Sequence, residues 1–190
     1  MKVIAFNGSA RKDGNTALLL NTVLAELAAE DIGTEIYHLA GKPIQGCIAC
    51  YQCFKNKDRR CAVGKDIANE CIEKMVEADG ILLGSPTYFA DVTAGMKALI
   101  ERAGMVSRAN GDLYRRKVGA GVVAVRRAGS NHSFSSINYL FLISEMIIPG
   151  SSYWNMALGR NPGDVLEDSE GVQTMKVLGK NMAWLLQRVR

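Results

Sequence analysis

The chain has 190 residues, 48% of them hydrophobic and 22% charged, and its 23 Lys and Arg against 19 Asp and Glu give a net charge of +4. This composition is typical of globular domains, so it excludes an intrinsically disordered chain, a collagen and a disulfide-stabilised miniprotein. The mild positive charge, without a concentrated basic stripe, argues against nucleic-acid binding.

The N-terminal segment and the apolar runs bear on localisation. The run Val3–Phe6 is too short for the apolar core of a signal peptide, and Gly8 follows almost at once. No later stretch approaches the roughly 18 apolar residues of a membrane span. We therefore expect a cytoplasmic protein that does not bind a membrane. The length fits one domain over residues 1–190, with enough chain to bury a core.

Strand-like and helix-like segments alternate along the chain. Short apolar runs predict strands over 3–6, 34–39, 80–85, 118–125 and 147–148, and a Cys-rich irregular insertion occupies about 40–63. Apolar residues at helical spacing predict helices from 16, from 66, and over 91–105, 133–146 and 174–189. Five alternating units predict the α/β class, with a doubly wound five-stranded parallel sheet. Ligands of such sheets bind beyond the carboxyl ends of the strands.

The loop after the first strand, Gly8–Thr16, leads directly into a helix. Backbone N–H groups and the helix dipole favour an anion there, and Ser9, Arg11, Asn15 and Thr16 add donors and charge. The loop has neither the Gly-Lys-Ser/Thr ending of a nucleoside triphosphate loop nor the Gly-x-Gly-x-x-Gly of a dinucleotide site. We interpret it as a phosphate site, the alternative being that Asn15 or Thr16 only caps the helix.

Two further loops leave the same edge of the predicted sheet. Ser85–Phe89 carries two aromatic residues beside a proline, which suits the flank of a flat ring, and Arg126–Ser130 offers charge and backbone donors. An aromatic pair alone would be interpreted as core. The three loops together predict a site for a mononucleotide with a flat heterocycle.

The motifs Phe6–Arg11 with Gly14–Thr16, and Gly84–Phe89 with Lys97, resemble those of the flavodoxin-fold NADPH-dependent FMN reductases. The resemblance covers nearly the whole chain and implies a flavodoxin-like three-layer sandwich that binds FMN. It assigns the phosphate to the first loop, the isoalloxazine ring to the second, and further contacts to a third loop that matches less sharply. The residues so assigned are Ser9, Arg11, Asn15 and Thr16, then Pro86, Thr87, Tyr88 and Phe89, and finally Arg127 and Gly129.

Four of the five cysteines lie in the insertion, where Cys47, Cys50, Cys53 and Cys61 follow the pattern C-x2-C-x2-C-x7-C. Three closely spaced thiols with a distal fourth suit a cubane cluster, whereas structural zinc usually takes two separated pairs. The pattern is similar to that of the iron-sulfur flavoproteins, a branch of the same superfamily, which implies a [4Fe-4S] cluster. Free thiols, zinc and redox-active disulfides are the alternatives. Cys71 fits a buried helix face instead.

These features predict an FMN-binding oxidoreductase of the iron-sulfur flavoprotein type, in which the flavin and no side chain carries the chemistry. Electrons would pass between a reduced donor and an acceptor through FMN and the cluster, with NAD(P)H or a ferredoxin as candidate partners. The alternatives are a clusterless NAD(P)H-dependent FMN or quinone reductase, and a non-enzymatic electron carrier or redox sensor. Aromatic residues expected to be exposed, Tyr51 and Phe54, together with the resemblance, predict a homodimer or higher homo-oligomer.

Overall fold

A computed structural model describes residues 1–189 and contains a five-stranded parallel sheet with the strand order β2-β1-β3-β4-β5. The chain runs outward from β1 to β2 and then crosses back to β3, so the order reverses between β1 and β3. The strands are β1 (Lys2–Asn7), β2 (Gly33–His38), β3 (Gly80–Pro86), β4 (Val118–Val125) and β5 (Met156–Leu158). The helices are α1 (Asn15–Ala28), α2 (Gln52–Asn56), α3 (Ala68–Glu77), α4 (Ala94–Ala109), α5 (Ser130–Ile143) and α6 (Ser169–Leu186).

Helices cover both faces of the sheet and so form a three-layer sandwich. On one face α1 and α6 enclose a core that includes Leu20 and Leu178. On the other, α3, α4 and α5 enclose a core that includes Met75, Leu99 and Phe141. The predicted α/β class and five-stranded parallel sheet are confirmed, and burial on both faces explains why β4 is apolar throughout. No helix within residues 1–189 is long and apolar enough to cross a membrane.

The fifth strand does not lie where the sequence predicts it. Ile147 makes only an isolated parallel bridge to Val118, at the start of β4, and Pro149 lacks the N–H that would continue the ladder. The chain then leaves the sheet and returns as Met156–Leu158, which pairs with the end of β4. The prediction of a strand over 147–148 is therefore wrong, and the true β5 ends at the carboxyl edge of the sheet.

Three helices begin earlier or later than the apolar spacing predicts. α4 starts at Ala94, after Thr93 has capped it, and not near residue 91. α5 and α6 start before the predicted positions, at Ser130 and Ser169. The predicted starts of α5 and α6 are too late because the first residues of these helices, 130–133 and 169–170, are polar. The predicted start of α4 is too early because Asp91 belongs to the turn that joins it to Tyr88. The insertion over 40–63 is irregular as predicted, apart from the short helix α2.

Candidate functional site

The loops after β1, β3, β4 and β5 meet at the carboxyl edge of the sheet and enclose a cavity of about 180 Å³, here called the edge cavity. Thr93 Oγ1 donates to Gly8 O at 2.8 Å, which ties the β1 loop to the start of α4, and Thr87 N donates to Ala124 O at 2.9 Å. The lining residues are Ser9, Arg11, Asn15, Thr16, Pro86, Thr87, Tyr88, Ala124, Arg126, Gly159 and Arg160.

The β1 loop is organised by Asn7, a fully buried side chain at the end of β1. Its Oδ1 accepts from Ser9 N at 3.0 Å, and its Nδ2 donates to Lys12 O at 3.1 Å. Ser9 Oγ in turn accepts from Arg11 N at 3.1 Å. These side-chain hydrogen bonds, together with the backbone bond from Gly14 N to Arg11 O at 3.3 Å, give the loop a defined shape without a ligand.

The start of α1 presents free donors to this loop. The N-cap is Gly14, which has no side chain to accept from the first amides of the helix, and so neither Asn15 nor Thr16 caps α1. The N–H groups of Asn15 and Thr16 have no acceptor on any described residue. Unsatisfied N–H groups at the positive end of the helix dipole form an anion site.

The side chain of Asn15 is used for a different purpose than the sequence predicts. Its Nδ2 donates to Asn161 O at 2.9 Å, and its Oδ1 accepts from Gly163 N at 2.8 Å, so it fastens the loop after β5 to α1. A Cβ at Gly159 would lie 2.8 Å from Asn15 Nδ2 and 2.7 Å from Val165 Cγ1, so this close approach requires glycine.

The β3 loop forms the opposite wall of the edge cavity. A tight turn joins Tyr88 to Asp91, with Tyr88 N donating to Asp91 O at 2.8 Å, and its tip residues Phe89 and Ala90 have φ of 49° and 63°. Pro86, Thr87 and Tyr88 line the cavity, whereas the side chain of Phe89 projects into solvent. Two non-glycine residues with positive φ in succession are strained, which is common at functional sites.

Two residues of the loop after β4 that are predicted to contact the ligand do not line the edge cavity. Gly129 (φ 87°) allows α5 to start close to the β3 loop, because a Cβ there would lie 2.9 Å from Ala90 Cα. Arg127 is exposed and does not line the edge cavity, whereas its neighbour Arg126 does.

Positive charge dominates the edge cavity. Arg11, Arg126 and Arg160 line it, and no acidic residue does so within the part of the chain that the structure describes. Sequence reasoning missed Gly159 and Arg160 because it placed the fifth strand too early. The signal that could have found them is Gly159 itself, which follows a short apolar run at the carboxyl edge.

The four cysteines of the insertion line a second, smaller cavity of about 20 Å³, here called the thiol cavity, whose other wall is provided by Arg102, Met105 and Val106 of α4. The insertion is coiled tightly around it, with Ala49 and Tyr51 at φ 51° and 55°. The four residues are Cys47, Cys50, Cys53 and Cys61, and all are free thiols.

Hydrogen bonds from backbone N–H groups hold the insertion in place around the thiol cavity. Ala49 N donates to Cys47 Sγ at 3.4 Å, and Cys61 N donates to Asn69 Oδ1 at 2.7 Å. Burial raises the pKa of the Cys53 thiol, and the nearby Cys61 and Cys47 raise it further. Within residues 1–189, no group of three or more Cys, His, Asp or Glu side chains is arranged to hold a single metal ion.

Cys71 lies apart from this set. It belongs to α3, is fully buried in the core and does not line the thiol cavity. Burial raises the pKa of its thiol to about 12. The prediction that Cys71 is a buried core thiol agrees with this geometry.

The two cavities share no lining residue. Arg102 and Val106 lie eight and twelve residues beyond Ala94, the first residue of α4. At about 1.5 Å per residue, the thiol cavity therefore lies roughly 12–18 Å along the helix from the sheet edge. The insertion begins after β2, at the carboxyl edge of the sheet, as the sequence suggests. Its cysteines, however, pack against the middle of α4.

Comparisons with known proteins identify the family. Residues 1–161 match the family described as NADPH-dependent FMN reductase. An iron-sulfur flavoprotein of Methanocaldococcus jannaschii is 38% identical over 197 residues, covering 100% of both chains. An iron-sulfur flavoprotein of Archaeoglobus fulgidus is 34% identical over 179 residues, covering 93% of this chain and 86% of its own.

Similarity to solved structures identifies the fold. RosB with bound 8-demethyl-8-formylriboflavin-5'-phosphate matches 98% of this chain and 79% of its own, with a TM-score of 0.77 and 17% identity. A flavodoxin from the domain Archaea matches 99% of this chain and 100% of its own, with a TM-score of 0.64 and 15% identity. At these identities the likeness shows a flavodoxin-like fold. The chain belongs to the NADPH-dependent FMN reductase family, as an FMN-dependent oxidoreductase of its iron-sulfur flavoprotein branch.

Proposed function

We propose that the chain binds FMN in the edge cavity and a [4Fe-4S] cluster in the thiol cavity, and that it passes electrons between a reduced donor and an acceptor through both. The observation that carries the proposal is the pairing of the two cavities on one fold, the first lined by anion donors and an aromatic wall and the second by four thiols. FMN, when bound, takes up a hydride and gives up electrons singly.

The phosphate of FMN would lie at the start of α1. The free N–H groups of Asn15 and Thr16, the Thr16 hydroxyl and the guanidinium of Arg11 are the donors there, and charged hydrogen bonds to a phosphate are short and strong. The Ser9 hydroxyl accepts from Arg11 N and keeps its own proton to donate to the phosphate, whereas the Asn15 side chain contributes indirectly, because its Nδ2 and its Oδ1 are both bonded to loop backbone groups.

The isoalloxazine ring would lie against the β3 loop. Pro86, Thr87 and Tyr88 supply its wall, and Phe89 at the exposed tip of the turn would cover the outer side of the ring. Gly129 supports this wall by allowing α5 to approach it. Arg127 would reach the ligand by turning inward beside Arg126.

The phosphate assignment is tested by comparing FMN with riboflavin, which lacks the phosphate. We expect Arg11→Ala and Thr16→Ala to weaken FMN binding in fluorescence titrations and to leave riboflavin binding nearly unchanged. A lost charge-assisted hydrogen bond costs about 1.5–3 kcal/mol, or roughly 10- to 150-fold in Kd. Lys12→Ala is the matched control, because Lys12 is a basic residue of the same loop that does not line the edge cavity. Equal losses for both ligands would contradict the assignment.

The cluster assignment is supported by the donor set. All four candidate ligands are thiols, no carboxylate of residues 1–189 lines the thiol cavity, and soft sulfur ligands suit iron-sulfur clusters. A cubane takes one thiolate on each of four iron atoms, so its ligands need not converge on one point. At about 20 Å³ the thiol cavity is smaller than such a cluster, so binding would move the partly exposed Cys47 and the exposed Cys50 outward.

Single substitutions separate the cluster from its alternatives. We expect Ala at any one of the four cavity cysteines to abolish or destabilise the cluster while FMN stays bound. Cys71→Ala is the matched control and should retain both cofactors. If no variant changes the iron and acid-labile sulfide of anaerobically reconstituted protein, the cluster lies elsewhere. If none of the proteins holds iron, the clusterless NAD(P)H-dependent reductase replaces this proposal.

The distance between the cavities favours a homo-oligomer, with a symmetric dimer as the simplest form. In one chain the thiol cavity is on the outside of α4, and large apolar side chains around it are exposed, among them Ile48, Tyr51 and Phe54. Phe89 is exposed beside the edge cavity as well. Contact between chains would bury these residues and bring one chain's cluster close to another chain's flavin. NAD(P)H or a ferredoxin would serve as the electron partner.

A further inference from the structure

One buried charge in the molecule has no role in the proposed electron path. Arg102 of α4 has a side chain that is 0% exposed. Its Nη1 donates to Asp66 Oδ2 at 2.5 Å and to Gln45 O at 3.2 Å, and its Nη2 donates to Val63 O. These bonds fasten both ends of the cysteine insertion to α4.

One nitrogen of this guanidinium has no partner among the described residues. Arg102 Nε is buried and has no hydrogen-bond partner on any residue from 1 to 189. Arg102 also lines the thiol cavity, whereas its partner Asp66 does not. A buried donor without an acceptor is costly, and more so on a charged group, so such groups in native proteins usually have a partner. A group held in the thiol cavity would supply the missing acceptor.

We propose, on the basis of the cluster assignment above, that Arg102 contacts the cluster. Its Nε–H donates to a cluster sulfide or to a ligating cysteine Sγ, and its charge faces the thiolates. Reduction of the cluster adds one electron, and with it one negative charge, without breaking a bond or moving a proton at Arg102. A hydrogen bond and a positive charge at the sulfurs stabilise the reduced form more than the oxidised form, so Arg102 raises the reduction potential of the cluster.

A purely structural role for Arg102 would be to hold the insertion through Asp66. Two variants distinguish the roles. Asp66→Asn removes the ion pair and keeps Arg102, whereas the double variant Asp66→Asn/Arg102→Gln removes both charges together and leaves no buried charge without its partner. Each is prepared anaerobically, reconstituted with iron and sulfide, assayed for both, and titrated optically with dithionite. The readout is the midpoint potential, which does not depend on enzymatic turnover.

We expect Asp66→Asn to reduce at or above the wild-type potential. The double variant should have a reduction equilibrium roughly tenfold less favourable than Asp66→Asn, a downward shift of about 59 mV for one electron. Equal potentials for these two variants would overturn the proposal.

If the double variant does not hold iron, Arg102→Lys takes its place, because it keeps the positive charge and lacks Nε. A potential below wild type then supports the hydrogen bond, and an unchanged potential overturns it. Wild-type protein without iron or sulfide after reconstitution would instead refute the cluster itself.

Discussion

Gly159→Ala tests whether the loop after β5 belongs to the flavin site. A Cβ at this position would lie 2.7 Å from Val165 Cγ1 and 2.8 Å from both Val165 N and Asn15 Nδ2. One of these atoms is backbone and another is held by its own hydrogen bond, so the loop must move away from α1. Overpacking of this kind costs about 1–3 kcal/mol. We therefore expect the free energy of unfolding, measured in urea, to fall by that amount.

FMN affinity should fall in the same variant, because the displaced loop carries Arg160 and braces Asn15 at the start of α1. A loss of about 1.4 kcal/mol in binding would raise the Kd for FMN roughly tenfold. Gly150→Ala is the matched control, since a Cβ there would meet nothing within 4 Å. Should Gly159→Ala match Gly150→Ala in both urea stability and FMN titration, the loop has no part in the site.

Three further outcomes follow from the structure. Thr93→Ala should lower the free energy of unfolding by about 1–3 kcal/mol, because it loses the cap on α4 and the hydrogen bond to Gly8 O. Thr93→Ser should retain both interactions, so equal stabilities of the Ala and Ser variants would contradict this prediction. The Cys71 thiol stays protonated in the folded protein from its ordinary pKa of 9.0 up to about 12, so its contribution to stability is complete below pH 9 and is lost as the pH rises towards 12. In urea unfolding, the free energy of unfolding should therefore fall less between pH 8 and pH 10.5 for Cys71→Ala than for wild type. An identical fall in both proteins would show that the Cys71 thiol does not have a raised pKa in the folded state. Light scattering at micromolar concentration should show a dimer or larger assembly, and a monomer would refute the proposed contact between chains.

Much of the fold could be predicted from the sequence, because burial on both faces leaves a strong local signal. β4 lies over Val118–Val125, as its unbroken apolar run predicts. β5 could not be located in this way, since it has only three residues and an edge strand needs no long apolar run. The nearby run at Ile147 and Ile148 is more apolar, yet only Ile147 pairs with the sheet.

The candidate site was predictable where its residues follow strands that the sequence places correctly. Ser9, Arg11 and Thr16, and with them Pro86, Thr87 and Tyr88, line the edge cavity. The role of the Asn15 side chain could not be predicted, because its partners Asn161 and Gly163 are distant in sequence and belong to the loop after β5. The spacing of the four cysteines led directly to the thiol cavity, whereas Arg102 enters it from another helix and leaves no local pattern.

The most direct test of the account is the cofactor content of wild-type protein purified and reconstituted without oxygen. One visible spectrum, together with FMN, iron and acid-labile sulfide assays on the same sample, measures both proposed cofactors at once. The account predicts FMN in equimolar amount to the chain and iron and sulfide in the ratio of a four-iron cluster. Stoichiometric FMN without iron or sulfide would contradict the thiol cavity as a cluster site, and a colourless protein that does not take up FMN would contradict the edge cavity as a flavin site.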